Sequence, residues 1–269
     1  MQDTDSKIYV KKYTKTPENP LVFPVREREV WRYCGYFGIV DDNETALREV
    51  YEEAKRDMAA VLSYGLCYRT ISSGEICKGG SLEFLMQSAQ VMKLLEGCSH
   101  VVLFAATAGI GIDQAINRMQ KISPTKALVM QGFGAERIEA LCDAFCDEYE
   151  AGLADNKDVT EQSDSQKMEK CLFVTPRFSP GYGDLPIDTQ ADFFSILDIS
   201  HLLGISLGEG YFMKPSKSVT ALFGVKEASK SSICELGEGS IENIDEKDAL
   251  KSGSKCQKCD KVDCEYREK

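Results

Sequence analysis

The 269-residue sequence has only two histidines, one tryptophan and no long apolar run. Its longest apolar stretch, Val101 to Ile112, is broken by Thr107 and two glycines. A membrane helix needs roughly 20 apolar residues, so no membrane span is expected. The start, Met1-Gln2-Asp3-Thr4-Asp5, lacks the basic end and apolar core of a signal peptide, and a cytoplasmic protein is expected. Basic residues are also short: 32 against 43 acidic ones give a net charge of −11. Nucleic acid and anionic lipid both demand clustered Lys and Arg, so neither is expected as a partner. There is no internal repeat. The eleven cysteines are an odd number in a chain without an export signal, which argues against a disulfide framework. Cys98, Cys142, Cys146 and Cys171 sit among apolar residues and read as small core hydrophobes.

At 43% apolar and 28% charged, the chain has the composition of a globular protein with one large domain or two modest ones. Residues 1–26, with prolines at 17, 20 and 24, read as an extended arm. From about Asp42, the spacing of Leu47, Val50, Tyr51, Ala54, Met58, Val61 and Leu62 predicts a helix. Leu66 to Ile71 is strand-like, and Ser81 is placed to cap a second helix through Leu95. Val101 to Phe104 reads as a buried strand running into a glycine turn and another helix. Ser123-Pro124 starts a long helix to about Tyr149. Residues 151–170 read as a mobile loop, Cys171 to Val174 as a strand, and Asp188 as the cap of a helix through Leu203. Tyr211 to Val225 suggests one or two further strands, and residues 226–269 a charged tail without Phe or Trp. The sum is a mixed α/β or α+β fold, one compact domain (27–225) with a polar tail.

Several motifs fail on their context. Gly204-Ile205-Ser206-Leu207-Gly208 fits the nucleophile-elbow spacing, but that motif needs a strand before the serine and a histidine after it. Here a helix comes first, and His100 and His201 both precede Ser206. Gly109-x-Gly111 hints at a dinucleotide loop, yet Gln114 stands at the third glycine and Asp113 offers a carboxylate where phosphate would sit. Lys217-Ser218 lacks the glycines of a phosphate loop. Cys256-x2-Cys259-x4-Cys264 is more specific. Its thiolates can converge on one soft metal, zinc or an iron–sulfur cluster, the alternative being reduced thiols on a solvated tail.

The most unusual stretch is Pro176-Arg177-Phe178-Ser179-Pro180-Gly181-Tyr182-Gly183-Asp184-Leu185-Pro186. Its prolines and glycines fix a backbone path, and on that path stand an Arg with a planar fork for carboxylates and a Tyr with a flat face. The alternative is a rigid surface corner. Downstream, Tyr211-Phe212-Met213-Lys214-Pro215-Ser216-Lys217-Ser218-Val219-Thr220 would bring Lys214, Lys217 and two hydroxyls to a sheet end, or else form a blunted edge strand.

These two stretches together resemble the activation domain of cobalamin-dependent methionine synthase, and look closest to its free-standing versions. Ala106-Thr107-Ala108-Gly109 with Ile112-Asp113, the segment Gln131 to Ala140, and Arg32-Tyr33-Cys34-Gly35-Tyr36 are similar to further family segments, so the resemblance covers about residues 27–225. It implies a twisted, largely antiparallel sheet packed by helices. It also implies a stand-alone reactivation subunit, an accessory component and not an independent enzyme, for cobalamin-dependent methionine synthase or a related corrinoid methyltransferase. Such a subunit binds S-adenosylmethionine and supports reductive methylation of Co(II) cobalamin held by the partner. A flavodoxin- or ferredoxin-like protein would supply the electron. Of the family's ligand-binding set, Arg177 and the Pro180-Gly181-Tyr182 turn carry over, Arg177 as holder of the ligand's carboxylate. The fused domains' P-x-C-P-[DE]-H-T stretch and front acidic residue have no match here, and Cys256, Cys259 and Cys264 have no counterpart there. Two other readings stay open: a corrinoid-capping module that does not use S-adenosylmethionine, and a small redox or metal protein using the terminal cysteines.

Overall fold

The computed structural model describes residues 7–36, 45–155 and 170–229. The chain divides into two units, residues 1–166 with 171–227 and residues 167–170 with 228–269, and the layers below belong to the first except for the strand ends at Lys170 and at Ala228 and Ser229. At its centre is a five-stranded sheet of β1 (Tyr9–Tyr13), β2 (Tyr64–Ser72), β3 (Cys98–Thr107), β7 (Ser218–Ser229) and β4 (Lys170–Val174), in the order β1-β2-β3-β7-β4. β1 with β2, β2 with β3 and β3 with β7 are antiparallel. The remaining two strands, β5 (Ser206–Leu207) and β6 (Met213–Lys214), form a small separate hairpin.

The central strand explains the layering. Along β3, Val102, Phe104 and Ala106 enter one core, and Val101, Leu103 and Ala105 enter the other. A strand apolar on both faces must be covered on both. On the first face lie α1 (Glu27–Tyr33), α2 (Thr45–Val61), α4 (Ile110–Gln120) and α5 (Pro124–Asp155). On the second lie α3 (Ala89–Leu94), α6 (Gln190–Leu197) and α7 (Ile199–Leu203). This is the expected mixed fold, a largely antiparallel sheet packed by helices. Among the described residues no helix is long and apolar enough to cross a membrane.

Some elements differ from the sequence expectation. The segment expected as an arm is also docked: β1 pairs with β2 as an edge strand, and Leu21 is 8% exposed in the first core. The helix expected from Ser81 to Leu95 is a 3-10 turn (Glu83–Gln87) and then α3, because the Ser88 hydroxyl accepts from the Val91 N–H and caps a new start. The helix expected from Asp188 to Leu203 breaks at Asp198, which takes a left-handed conformation between α6 and α7. α5 runs to Asp155, into the stretch expected as a loop, and β7 continues past Val225 to Ser229. Residues 156–169 of that loop and the tail cysteines lie outside the described residues.

Gly132 and Gly134 of α5 are contact points. A Cβ on Gly132 would sit 2.5 Å from the Val30 carbonyl oxygen and 2.7 Å from Cys34 Sγ, so glycine lets α1 lie directly on α5. Gly134 forms a notch crossed by the aliphatic stem of Lys217.

Candidate ligand-binding site

Arg177 lies just beyond β4, and its neighbour Phe178 bridges to Leu222 of β7, which anchors the loop to the sheet. The Arg177 side chain is only 13% exposed. Its guanidinium donates to Glu139 Oε2 at 3.1 Å and to an oxygen of Asp143, both on α5 one turn apart. Asp143 is shared: its other oxygen accepts from Arg26 Nη1 at 2.7 Å. Two cations and two carboxylates thus meet where the side chains of α5, the 176–186 loop and the segment before α1 come together. Tyr33 of α1 borders them, its phenol pushed up to about 12 by burial and then by the Glu139 carboxylate.

This cluster stands on a buried foundation. Glu136 and Arg137 are 0% exposed and pair with each other on α5. Arg137 also donates to the carbonyls of Phe23 at 2.6 Å and Pro24 at 2.7 Å, while Glu136 accepts from the backbone N–H of Arg26 at 3.3 Å. Every charge is matched by a partner, which is the condition for burying it. The result fixes Arg26 against the helix that carries Asp143.

The turn after Arg177 is rigid. Pro180 is buried and Tyr182 is 71% exposed. Gly181 has φ +84 and donates its N–H to the Leu185 carbonyl at 2.9 Å; a Cβ there would meet Ile187 Cδ1 at 2.9 Å. Asp184 clamps the far end, accepting from the Ser88 hydroxyl and from the Gln90 N–H at 3.2 Å.

The structure therefore keeps Arg177 and the Pro180-Gly181-Tyr182 turn on one loop, and it adds Glu139, Asp143 and Arg26, which sequence reasoning missed. Glu139 and Asp143 sit four apart on a helix, a pattern that reads as a solvated face until the loop is folded against it. Lys214 and the hydroxyls of Ser216 and Ser218 come to a different place, a cleft of 710 Å³ between α4 and the β5–β6 hairpin. Lys217 turns away toward Gly134, and burial lowers its ammonium below the ordinary lysine value. Asp113, at the start of α4, accepts from Ser216 N at 2.7 Å and Ser216 Oγ at 2.6 Å, which pins the hairpin to α4. Among the described residues no group of three or more His, Cys, Asp or Glu could hold a metal ion. Cys256, Cys259 and Cys264 lie outside them.

A family model described as "Vitamin B12 dependent methionine synthase, activation domain" matches residues 85–248. The chain belongs to that family. Its matched span begins at the second-face 3-10 turn and takes in β3, α5, the Arg177 loop, the cleft hairpin and β7. Among solved structures, the reactivation domain of MetH bound to AdoHcy shares the fold, with a TM-score of 0.54 at 14% identity over 81% of this chain and 78% of that one. No curated protein matches the chain.

Proposed function

We propose that this activation-domain protein binds S-adenosylmethionine at the Arg177 cluster and serves a cobalamin-dependent methionine synthase, or another corrinoid methyltransferase, by supporting reductive methylation of cobalamin that has fallen to Co(II). The observation that carries the reading is the pairing of both charge signs beside a fixed turn. The amino-acid end of S-adenosylmethionine bears a carboxylate and an ammonium. Arg177 and Arg26 offer donors to the first, and Asp143 and Glu139 offer acceptors to the second. Without ligand the four groups satisfy one another, so the guanidinium waits in place and binding exchanges one set of ion pairs for another. The family description and the AdoHcy complex of the structural relative support the same ligand class. The methyl comes from the sulfonium and the electron from a flavodoxin- or ferredoxin-like donor. Holding sulfonium and cobalt in register is then the main contribution, since positioning alone supplies much of such a rate.

Calorimetric titration with S-adenosylmethionine tests the assignment. Arg177→Ala should weaken binding by about 1.5–3 kcal/mol, the range for a hydrogen bond to a charged group. Asp143→Asn should weaken it through the ammonium. A wild-type protein that does not bind, or equal binding by all three forms, overturns the reading.

A further inference from the structure

The loop after Arg177 devotes much of its polar chemistry to one exposed side chain. Its anchorage in the fold is secured at two points: Pro180 is buried, and Leu185 is 2% exposed in the second core. Between them the backbone closes on itself. The Gly181 N–H donates to the Leu185 carbonyl, the Tyr182 N–H to the Ser179 carbonyl at 3.2 Å, and the Leu185 N–H to the Tyr182 carbonyl at 3.1 Å. At the tip of this ring stands Tyr182, mostly in solvent and flanked by two glycines in the left-handed region, Gly181 at φ +84 and Gly183 at φ +55. A side chain so placed forgoes the apolar burial that stabilises a core.

A separate clamp joins this tip to the start of α3. Asp184 spends its two carboxylate oxygens on different donors: Oδ1 accepts from the Ser88 hydroxyl and Oδ2 from the Gln90 N–H at 3.2 Å. Ser88 is fully buried, and its oxygen accepts from the Val91 N–H at 3.0 Å, while its single proton goes to Asp184. Gly183 lies flat against the same helix start. A Cβ there would overlap Gln90 Oε1 and meet Phe178 Cζ at 3.0 Å. The clamp therefore grips the chain on one side of Tyr182 and fixes the direction in which the ring leaves the loop. Pro180 and Leu185 supply the loop's apolar anchorage without it.

Resting on the S-adenosylmethionine reading above, we propose that Asp184 is a positioning residue for the ligand site: acting through Gly183, it holds the Tyr182 ring where it meets S-adenosylmethionine. An aromatic face attracts a cation and stacks on a planar ring, and S-adenosylmethionine carries both a sulfonium and an adenine. A ring fixed in advance has less freedom to lose on binding, so the clamp is read out as affinity. Asp184 itself touches no ligand; its effect passes through Tyr182.

The test is a double-mutant cycle on the full chain, read by calorimetric titration with S-adenosylmethionine. Asp184→Asn leaves one acceptor oxygen for two donors, and so opens the clamp at an exposed position. It should weaken binding about fivefold or more in the wild-type background and by less than about twofold in a Tyr182→Ala background, because residues acting through one contact are not additive. Equal weakening in both backgrounds overturns the proposal, since the effect then bypasses the ring. A Tyr182→Ala protein that binds like wild type overturns it too. A wild type that does not bind at all removes the S-adenosylmethionine reading and this proposal with it. Hydrogen exchange without ligand examines the clamp alone. Asp184→Asn should speed exchange at the Gly181 and Tyr182 amides by about tenfold more than at the amides of β3, which report any general loss of stability. An equal change at both places overturns the clamp, whatever the titrations give.

Discussion

Asp184 shows how a single carboxylate holds the Pro180-Gly181-Tyr182 turn to the second-face helices. The Ser88 hydroxyl, and then the Gln90 N–H, stabilise its charged form and hold it below the ordinary aspartate value. A depressed folded value means stability that is present above the unfolded pKa of about 3.9 and is lost as pH falls through the folded one. Asp184→Asn should therefore unfold at lower temperature than wild type near neutrality, and the gap should close on the acid side. Thermal melts from about pH 6 down to about pH 2 would show this, and a gap that stays constant with pH would count against it. Buried thiols behave differently: burial pushes Cys34 up to about 11 and Cys67 up to about 12, so both remain protonated packing groups. Cys98 and Cys142 are buried and free, as their apolar neighbours suggested.

At the scale of elements, α5 is the organising piece. It carries the buried Glu136–Arg137 pair, the half-buried acids that pair with Arg177, and two glycines that admit α1 and Lys217. Gly132→Ala should destabilise by about 1–3 kcal/mol, because its Cβ meets a backbone carbonyl that cannot yield without moving α1. Gly152→Ala on the same helix meets nothing within 4 Å and should stabilise by about 0.5–1 kcal/mol. Urea unfolding of the two variants gives opposite signs if the account of the α1–α5 contact is right. Arg137→Met should be worse than either, since it takes the buried guanidinium from Glu136 and leaves that charge to the partly exposed Arg26. Much of this layer is legible in the sequence. The doubly apolar run of β3, the Ser123-Pro124 start of α5 and the helix-to-strand order around Ser206 all follow from local pattern. What is not legible is decided by contacts distant in sequence. β1 reads Tyr-Val-Lys-Lys-Tyr, whose half-polar pattern fits an edge strand or a free arm equally until β2 is there to pair with it. The breaks at Ser88 and Asp198 come from one hydroxyl and one left-handed residue inside otherwise helical spacing. The site shows the same division. Arg177 and its turn announce themselves through fixed backbone chemistry, whereas Glu139 and Asp143 become partners of Arg177 only when the loop lies on α5.

For the whole molecule, the first compact unit carries both the Arg177 cluster and the cleft, and the tail is proposed as a separate element. Truncation after Ser229, which preserves all of β7, should leave S-adenosylmethionine affinity and melting temperature nearly unchanged. The same truncation should remove any zinc or iron that Cys256, Cys259 and Cys264 bind, as metal analysis would show. Metal that persists in the truncated chain would contradict that assignment. The measurement closest to the central claim is recovery of methyl transfer by a cobalamin-dependent methionine synthase trapped in the Co(II) state, with this protein added in trans together with S-adenosylmethionine and a low-potential reductant. The account predicts return of activity and of the methylcobalamin spectrum with wild type, and little of either with Arg177→Ala at limiting S-adenosylmethionine. Recovery that proceeds equally well without the protein, or equally well with Arg177→Ala at limiting S-adenosylmethionine, would contradict it.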